Sequence, residues 1–255
     1  MPFTYHILQQ NSKLNNWILA FYGFGQHHKV YEKLKDSLQT NFNFLVIDIP
    51  IEPDEKLNRK TFSVFLEKII TIYSIKEIIG ISYSMGSRLN LVMCELIPFK
   101  IKKIIVIAPD GIQINIWNKI AVHTRLGKII FKQLMHHPTA LVYILHGLNK
   151  LKLISHTLYI FCKWQIRDEV NRKKIYSTWK NMKHFLPNLT LINKQIENNN
   201  IELTAYFGKQ DVVINNKIEK KLRTTFLNAT TIVVESNHDL LNENIFTLIK
   251  NKLLS

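Results

Sequence analysis

Short runs rich in Ile, Val, Leu and Phe recur along the chain and alternate with stretches whose apolar residues follow a helical period. The runs at 4–9, 17–22, 44–48, 77–82, 103–108, 203–207 and 231–235 are read as strands. Helices are predicted between and after them at 29–38, 61–73, 85–96, 216–226 and 244–254. This alternation predicts an α/β fold, with a mostly parallel central sheet and helices on both faces. The rhythm breaks once. From 112 to about 194 there is no strand pattern, only helical periods rich in Leu, Ile, Phe and Trp, punctuated by Pro138 and Pro187. The segment is read as a helical lid inserted between two strands, giving a core of 1–111 and 195–255 and an insertion of 112–194.

Composition narrows the class. A chain of 255 residues with 46% apolar content can bury the core of one large α/β domain and carry an insertion. The first thirteen residues lack the basic start and apolar run of a secretory signal, and the longest apolar stretch, 140–162, is interrupted by His146, Asn149, Lys150, Lys152 and His156. No membrane span is predicted, and a cytoplasmic location is expected. Cys94 and Cys162, with no close cysteine neighbour, are read as buried thiols.

The formal net charge of +15 is concentrated: 112–200 holds 14 Lys and Arg against 3 Asp and Glu, so eleven of the fifteen charges lie there. Lysine, asparagine and isoleucine are abundant throughout, no nucleic-acid-binding motif accompanies the charge, and no nucleic-acid partner is expected. Six of the ten histidines fall in the insertion, including the pair His136 and His137. Neighbours on a helix point about 100° apart, and no carboxylate lies near in sequence to complete a set of ligands, so no metal or cofactor is predicted.

Candidate chemistry begins at Ser82-Tyr83-Ser84-Met85-Gly86, where an apolar strand ends in a tight turn before a helix. A serine on such a turn stands clear of the sheet, and the helix N-terminus offers N–H groups to a developing oxyanion. The pattern departs from G-x-S-x-G only in its first residue, where Ser82 serves as the small side chain beneath the turn. Tyr206-Phe207-Gly208-Lys209-Gln210-Asp211 places an aspartate just after a strand, and His238 lies in the loop after the last strand. Tyr22-Gly23-Phe24-Gly25 ends an earlier strand with two glycines around a residue whose N–H can face a ligand. All four fall at strand C-terminal ends, in the order oxyanion loop, serine, aspartate, histidine.

These residues make the chain resemble the α/β-hydrolase superfamily of serine hydrolases with a helical cap, over nearly its whole length. The resemblance implies Ser84 as nucleophile, His238 as general base, Asp211 as the acid that orients it, and the N–H groups of Phe24 and Met85 as the oxyanion hole. Where such proteins often have His-Gly at the oxyanion loop, this chain has Tyr22-Gly23, which keeps the backbone donor and removes a side chain that helps brace the loop. Only one strand fits before Trp17, so the sheet is expected to be shortened at its first edge.

The implied activity is hydrolysis of a small-molecule carboxylic ester or thioester with an apolar acyl part, through an acyl-enzyme and without a cofactor. In such folds the lid walls the acyl pocket, and here it offers Trp117, Phe131, Leu134, Met135, Leu141, Tyr143, Ile144, Tyr159, Phe161 and Trp164. Its basic character also suits an acidic acyl carrier, coenzyme A phosphates or an anionic lipid surface. Two alternatives stay open: a carbon–carbon bond hydrolase or lyase using the same triad, and a non-catalytic binding protein on the same scaffold. A nucleophilic aspartate is disfavoured because the elbow residue is serine.

Overall fold

A computed structural model describes residues 3–38, 41–51, 57–113, 120 and 122–254. Two compact units divide the chain: one comprises 1–50, 56–113 and 184–255, the other 51–55 and 114–183.

The first unit is built on a sheet of seven strands in the order β1-β3-β2-β4-β5-β6-β7. The strands are β1 (Tyr5–Gln9), β2 (Asn16–Phe21), β3 (Asn43–Ile47), β4 (Glu77–Tyr83), β5 (Ile101–Ile107), β6 (Glu202–Gly208) and β7 (Thr230–Val234). β1 pairs antiparallel with β3, and every other pairing is parallel. All five residues of β3, and all but the first of β2, β4 and β6, are buried. Strands covered on both faces have no solvent side to alternate toward, which is why they read as continuous apolar runs. The edge strands β1 and β7 are only partly covered. One strand precedes β2, as expected.

The helices of this unit are α1 (Glu32–Ser37), α2 (Arg59–Ile72), α3 (Gly86–Leu96), α8 (Leu189–Asn198), α9 (Asn216–Thr225) and α10 (Glu243–Leu254), numbered along the whole chain. The helix predicted at 29–38 is shorter than its pattern, because a 3-10 turn, His28–Tyr31, precedes α1. Asn58 starts α2 with a reciprocal capping pair to Thr61. α3 is buried from Gly86 through Cys94 and packs against β4, β2, β5 and α8. Its polar residues therefore need partners, and Asn90 finds one by donating from Nδ2 to Ser82 Oγ at 2.9 Å. Phe3, Phe62, Phe65 and Phe185 form an aromatic cluster on one side of this core.

Chain order and sheet order together locate the crevice. β3 lies on one side of β2 and β4 on the other, so the segments leaving β2 and β4 at their C-terminal ends diverge. Open α/β sheets bind ligands at such a reversal.

The second unit is helical: α4 (Arg125–His136), α5 (Pro138–Lys150), α6 (His156–Gln165) and α7 (Glu169–Met182). No strand occurs among its described residues. α4 and α7 pack through Phe131 against Tyr176 and Trp179, and the buried Arg172 donates to the carbonyls of Met135 (2.9 Å) and Ile166 (3.0 Å). Of the apolar residues singled out above, Phe131, Met135 and Tyr159 are buried, whereas Tyr143, Ile144, Phe161 and Trp164 are exposed. Trp117 lies outside the described residues.

Cys94 is buried and Cys162 half-buried, both as free thiols. Burial pushes the Cys94 thiol from its usual 9.0 up to about 12. The folded chain keeps this thiol protonated where an unfolded chain ionises it. The stability it contributes is complete below pH 9 and is lost as the pH rises toward 12. Denaturant unfolding across that range should show falling stability, and Cys94→Ala should flatten part of the fall.

Candidate active site

Four loops carry the candidate residues, those after β2, β4, β6 and β7, and the first two flank the crevice. Ser84 follows β4 with φ at +48°, a left-handed conformation that a side chain other than glycine adopts at a cost of about 1–2 kcal/mol. Three backbone hydrogen bonds hold it there. The Ser84 N–H donates to Ile107 O (2.9 Å), and its carbonyl accepts from Ser87 N (3.0 Å) and Asp110 N (3.1 Å).

Two glycines let neighbouring backbone reach this turn. A Cβ on Gly86 would lie 2.4 Å from Tyr22 O and 2.5 Å from Phe21 O, so only glycine lets α3 begin against the end of β2. A Cβ on Gly23 would lie 2.8 Å from the Tyr83 ring and 3.2 Å from Ser84 Cβ. The loop after β2 thus lies directly against the serine. Phe24 follows Gly23 in that loop, and Met85 is the N-cap residue of α3. Neither backbone N–H donates to another group among the described residues.

Ser84, His238 and Asp211 come together across 154 and 27 residues of sequence. Ser84 Oγ lies 3.1 Å from His238 Nε2, and His238 Nδ1 lies 2.7 Å from Asp211 Oδ2. The other Asp211 oxygen accepts from the N–H groups of Val213 and Ile214, both at 2.8 Å. An ionised carboxylate only accepts, so Nδ1 carries the hydrogen that faces it. Nε2 is then left as the acceptor for the Ser84 hydroxyl. The Asp211 side chain is fully buried and that of His238 is 22% exposed, so this chain of contacts runs outward from the interior to the half-buried Ser84.

Several supporting residues escape a reading by pattern. Tyr83 donates its hydroxyl to the His238 carbonyl at 2.6 Å and sets its ring beside the imidazole. Burial, with Asp239 and Asp211 nearby, pushes this phenol well above its usual range, so it remains a neutral donor. Nothing in the elbow pattern constrains this position. Asp110 contributes its backbone N–H to the Ser84 carbonyl and its carboxylate to an ion pair with the buried Arg88, 2.9 Å away. Ser82 is more than a small residue: its hydroxyl accepts from Asn90 and lies 3.2 Å from Ser87 Oγ, joining strand and helix beneath the turn.

Tyr22, where such proteins often have histidine, has a brace of its own: its buried side chain donates to Asp48 Oδ1 at 2.7 Å. Asp48 also accepts from Thr4 Oγ1 (2.6 Å) and pairs with His6 Nε2 (3.0 Å). His6, His28 and Asp48 place one donor atom each within 4.8 Å of one another. The two imidazoles stack at 3.7 Å with 23° between their planes. In-plane lone pairs on rings this nearly parallel point alongside one another rather than toward a common ion.

No family model matches the sequence, and no match was found among curated proteins. Solved structures are similar to it. A carboxylesterase of the ammonia-oxidizing thaumarchaeon Nitrososphaera gargenis has a TM-score of 0.65 at 12% identity, over 99% of this chain and 94% of that one. MenH from S. aureus has a TM-score of 0.62 at 17% identity, over 99% and 96%. An α/β-hydrolase enzyme from a Medee basin deep-sea metagenome library has a TM-score of 0.62 at 13% identity, over 99% and 92%. The chain has the α/β-hydrolase fold.

Two substitutions probe the supporting residues. Ser82→Gly restores G-x-S-x-G but leaves the Asn90 amide only the Ile105 carbonyl at 3.4 Å, and denaturant unfolding should show a loss of about 0.5–1.5 kcal/mol. Tyr83→Phe removes the hydrogen bond to the His238 carbonyl, and denaturant unfolding should show a loss of about 0.5–1.5 kcal/mol.

Proposed function

We propose that this protein is a serine hydrolase of carboxylic esters or thioesters. The observation that carries the reading is the relay Ser84–His238–Asp211, with the serine held in a strained turn at the sheet's reversal point. His238, its Nδ1–H held by Asp211, takes the Ser84 proton at Nε2 as the serine oxygen attacks the acyl carbon. The N–H groups of Phe24 and Met85 receive the charge that develops on the carbonyl oxygen, and in comparable sites losing one such donor costs about 3–4 kcal/mol. His238 then protonates the departing alcohol or thiol, leaving the acyl group on Ser84. A water molecule, deprotonated by the same imidazole, attacks that ester and frees the acid. The fold is shared with the Nitrososphaera gargenis carboxylesterase, which agrees with this reaction class.

A panel of p-nitrophenyl esters and acyl thioesters, with a fluorophosphonate probe alongside, tests the reading. The wild type should hydrolyse members of the panel and be labelled at Ser84, while Ser84→Ala should lose both. Asp211→Asn, which puts the histidine hydrogen on the wrong nitrogen, should lower kcat by about 10⁴. A folded wild type that takes no label, or Ser84→Ala that retains turnover, would sink it.

A further inference from the structure

The hairpin α5–α6 is apolar and much of that surface stays open, with Leu141, Val142, Leu145 and Leu148 only half-buried. No residue of α5 is buried, and in α6 only Tyr159 is. Tyr143 is 73% exposed, and Ile144, Phe161 and Trp164 are exposed on the same two helices. The turn joining them is well defined: Lys152 N donates to Asn149 O and Leu153 N to Leu148 O, both at 2.9 Å, the pair of hydrogen bonds that closes a helix C-terminus. Its left-handed position, which favours glycine, is held by Lys152 with φ at +55°. On either side of that lysine, Leu151 is 70% and Leu153 65% exposed. A turn that shows two leucines around a charged residue in a strained conformation is not shaped for water alone.

The charge around the hairpin has one sign. From 111 to 167 the sequence contains six lysines, two arginines and no Asp or Glu. Lys150 and Lys152 stand at the tip and Lys163 near the end of α6, where the Arg167 guanidinium lies 5.0 Å from the centre of the Trp164 ring. Exposed apolar side chains interleaved with lysine, arginine and tryptophan suit the boundary between lipid headgroups and acyl chains. Each basic side chain near an anionic bilayer strengthens binding by about fivefold.

We propose that the α5–α6 hairpin docks this protein on an anionic lipid bilayer, with Leu151 and Leu153 entering the headgroup boundary and Lys150 and Lys152 meeting lipid phosphates. Docking is superficial. The 13 residues of α5 rise about 20 Å, short of the roughly 30 Å hydrocarbon core, and no helix among the described residues is long and apolar enough to cross a membrane. A second copy of the chain fits the face poorly, since like charges would meet. The headgroup boundary of an anionic bilayer offers charge to the lysines and an apolar layer to the leucines within the same few ångströms.

Co-sedimentation of the full chain with vesicles tests the proposal. Binding to phosphatidylcholine vesicles containing phosphatidylglycerol should be strong at low salt and fall at high salt, and binding to phosphatidylcholine alone should be weak. Trp164 fluorescence should shift to the blue on binding, and Trp164→Phe should remove that change. Leu151→Glu with Leu153→Glu, and separately Lys150→Glu with Lys152→Glu, should each weaken binding at least about tenfold, with helical content unchanged by circular dichroism. Ser84→Ala should bind as the wild type does, so the outcome is independent of hydrolysis. Equal binding to both vesicle types, no binding, or full binding by the leucine variant overturns the proposal. So does self-association abolished by the leucine variant, or salt-sensitive binding to an acidic acyl-carrier protein without vesicle binding.

Discussion

The close approach of α3 to the end of β2 is the constraint on which the site depends. A helix can start against the Phe21 and Tyr22 carbonyls only where residue 86 has no side chain. Once it starts there, the turn before it must be sharp, and Ser84 takes the left-handed conformation that lifts its side chain off the sheet. The same approach brings the loop carrying Gly23 and Phe24 against the serine. Sheet order then supplies the remaining partners, because β6 and β7 end on the same side as β4 and deliver Asp211 and His238 through their following loops.

Buried polar groups keep this geometry single-valued. Ser82, Ser87 and Asn90 join the strand to the helix, Arg88 and Asp110 join the helix to the segment after β5, and Tyr22 joins the end of β2 to Asp48 beyond β3. Each pair spans two elements, so none can shift without leaving a desolvated polar group unmatched. Arg59 does similar work at the rim, holding Glu95 and the Leu186 carbonyl, while Glu95 also accepts from Asn188 N at 2.7 Å.

The strands of the core were legible in the sequence because burial on both faces leaves nothing but apolar residues in them. The serine, aspartate and histidine were legible because each follows a strand and their chain order suits one topology. Asn90 and Tyr83 were not, since a lone asparagine in a helix and a tyrosine in an elbow acquire meaning only from what lies across space. The brace at Tyr22 is hidden for the same reason: its partner Asp48 sits 26 residues away and is recognisable only once β2 and β3 are paired. The start of α1 is hidden because a short amphipathic run does not separate an α-helical period from the 3-10 turn before it.

Backbone anchoring of Ser84 has a kinetic corollary. Its N–H and both acceptor positions of its carbonyl are occupied by Ile107, Ser87 and Asp110, so the main chain of the turn has no freedom to follow the reaction. On the proposed mechanism, the serine oxygen travels between imidazole and acyl carbon by rotation about its Cα–Cβ bond alone. A displacement confined to one torsion carries little reorganisation with it, and the framework that imposes the strain also keeps the recoil of each turnover local.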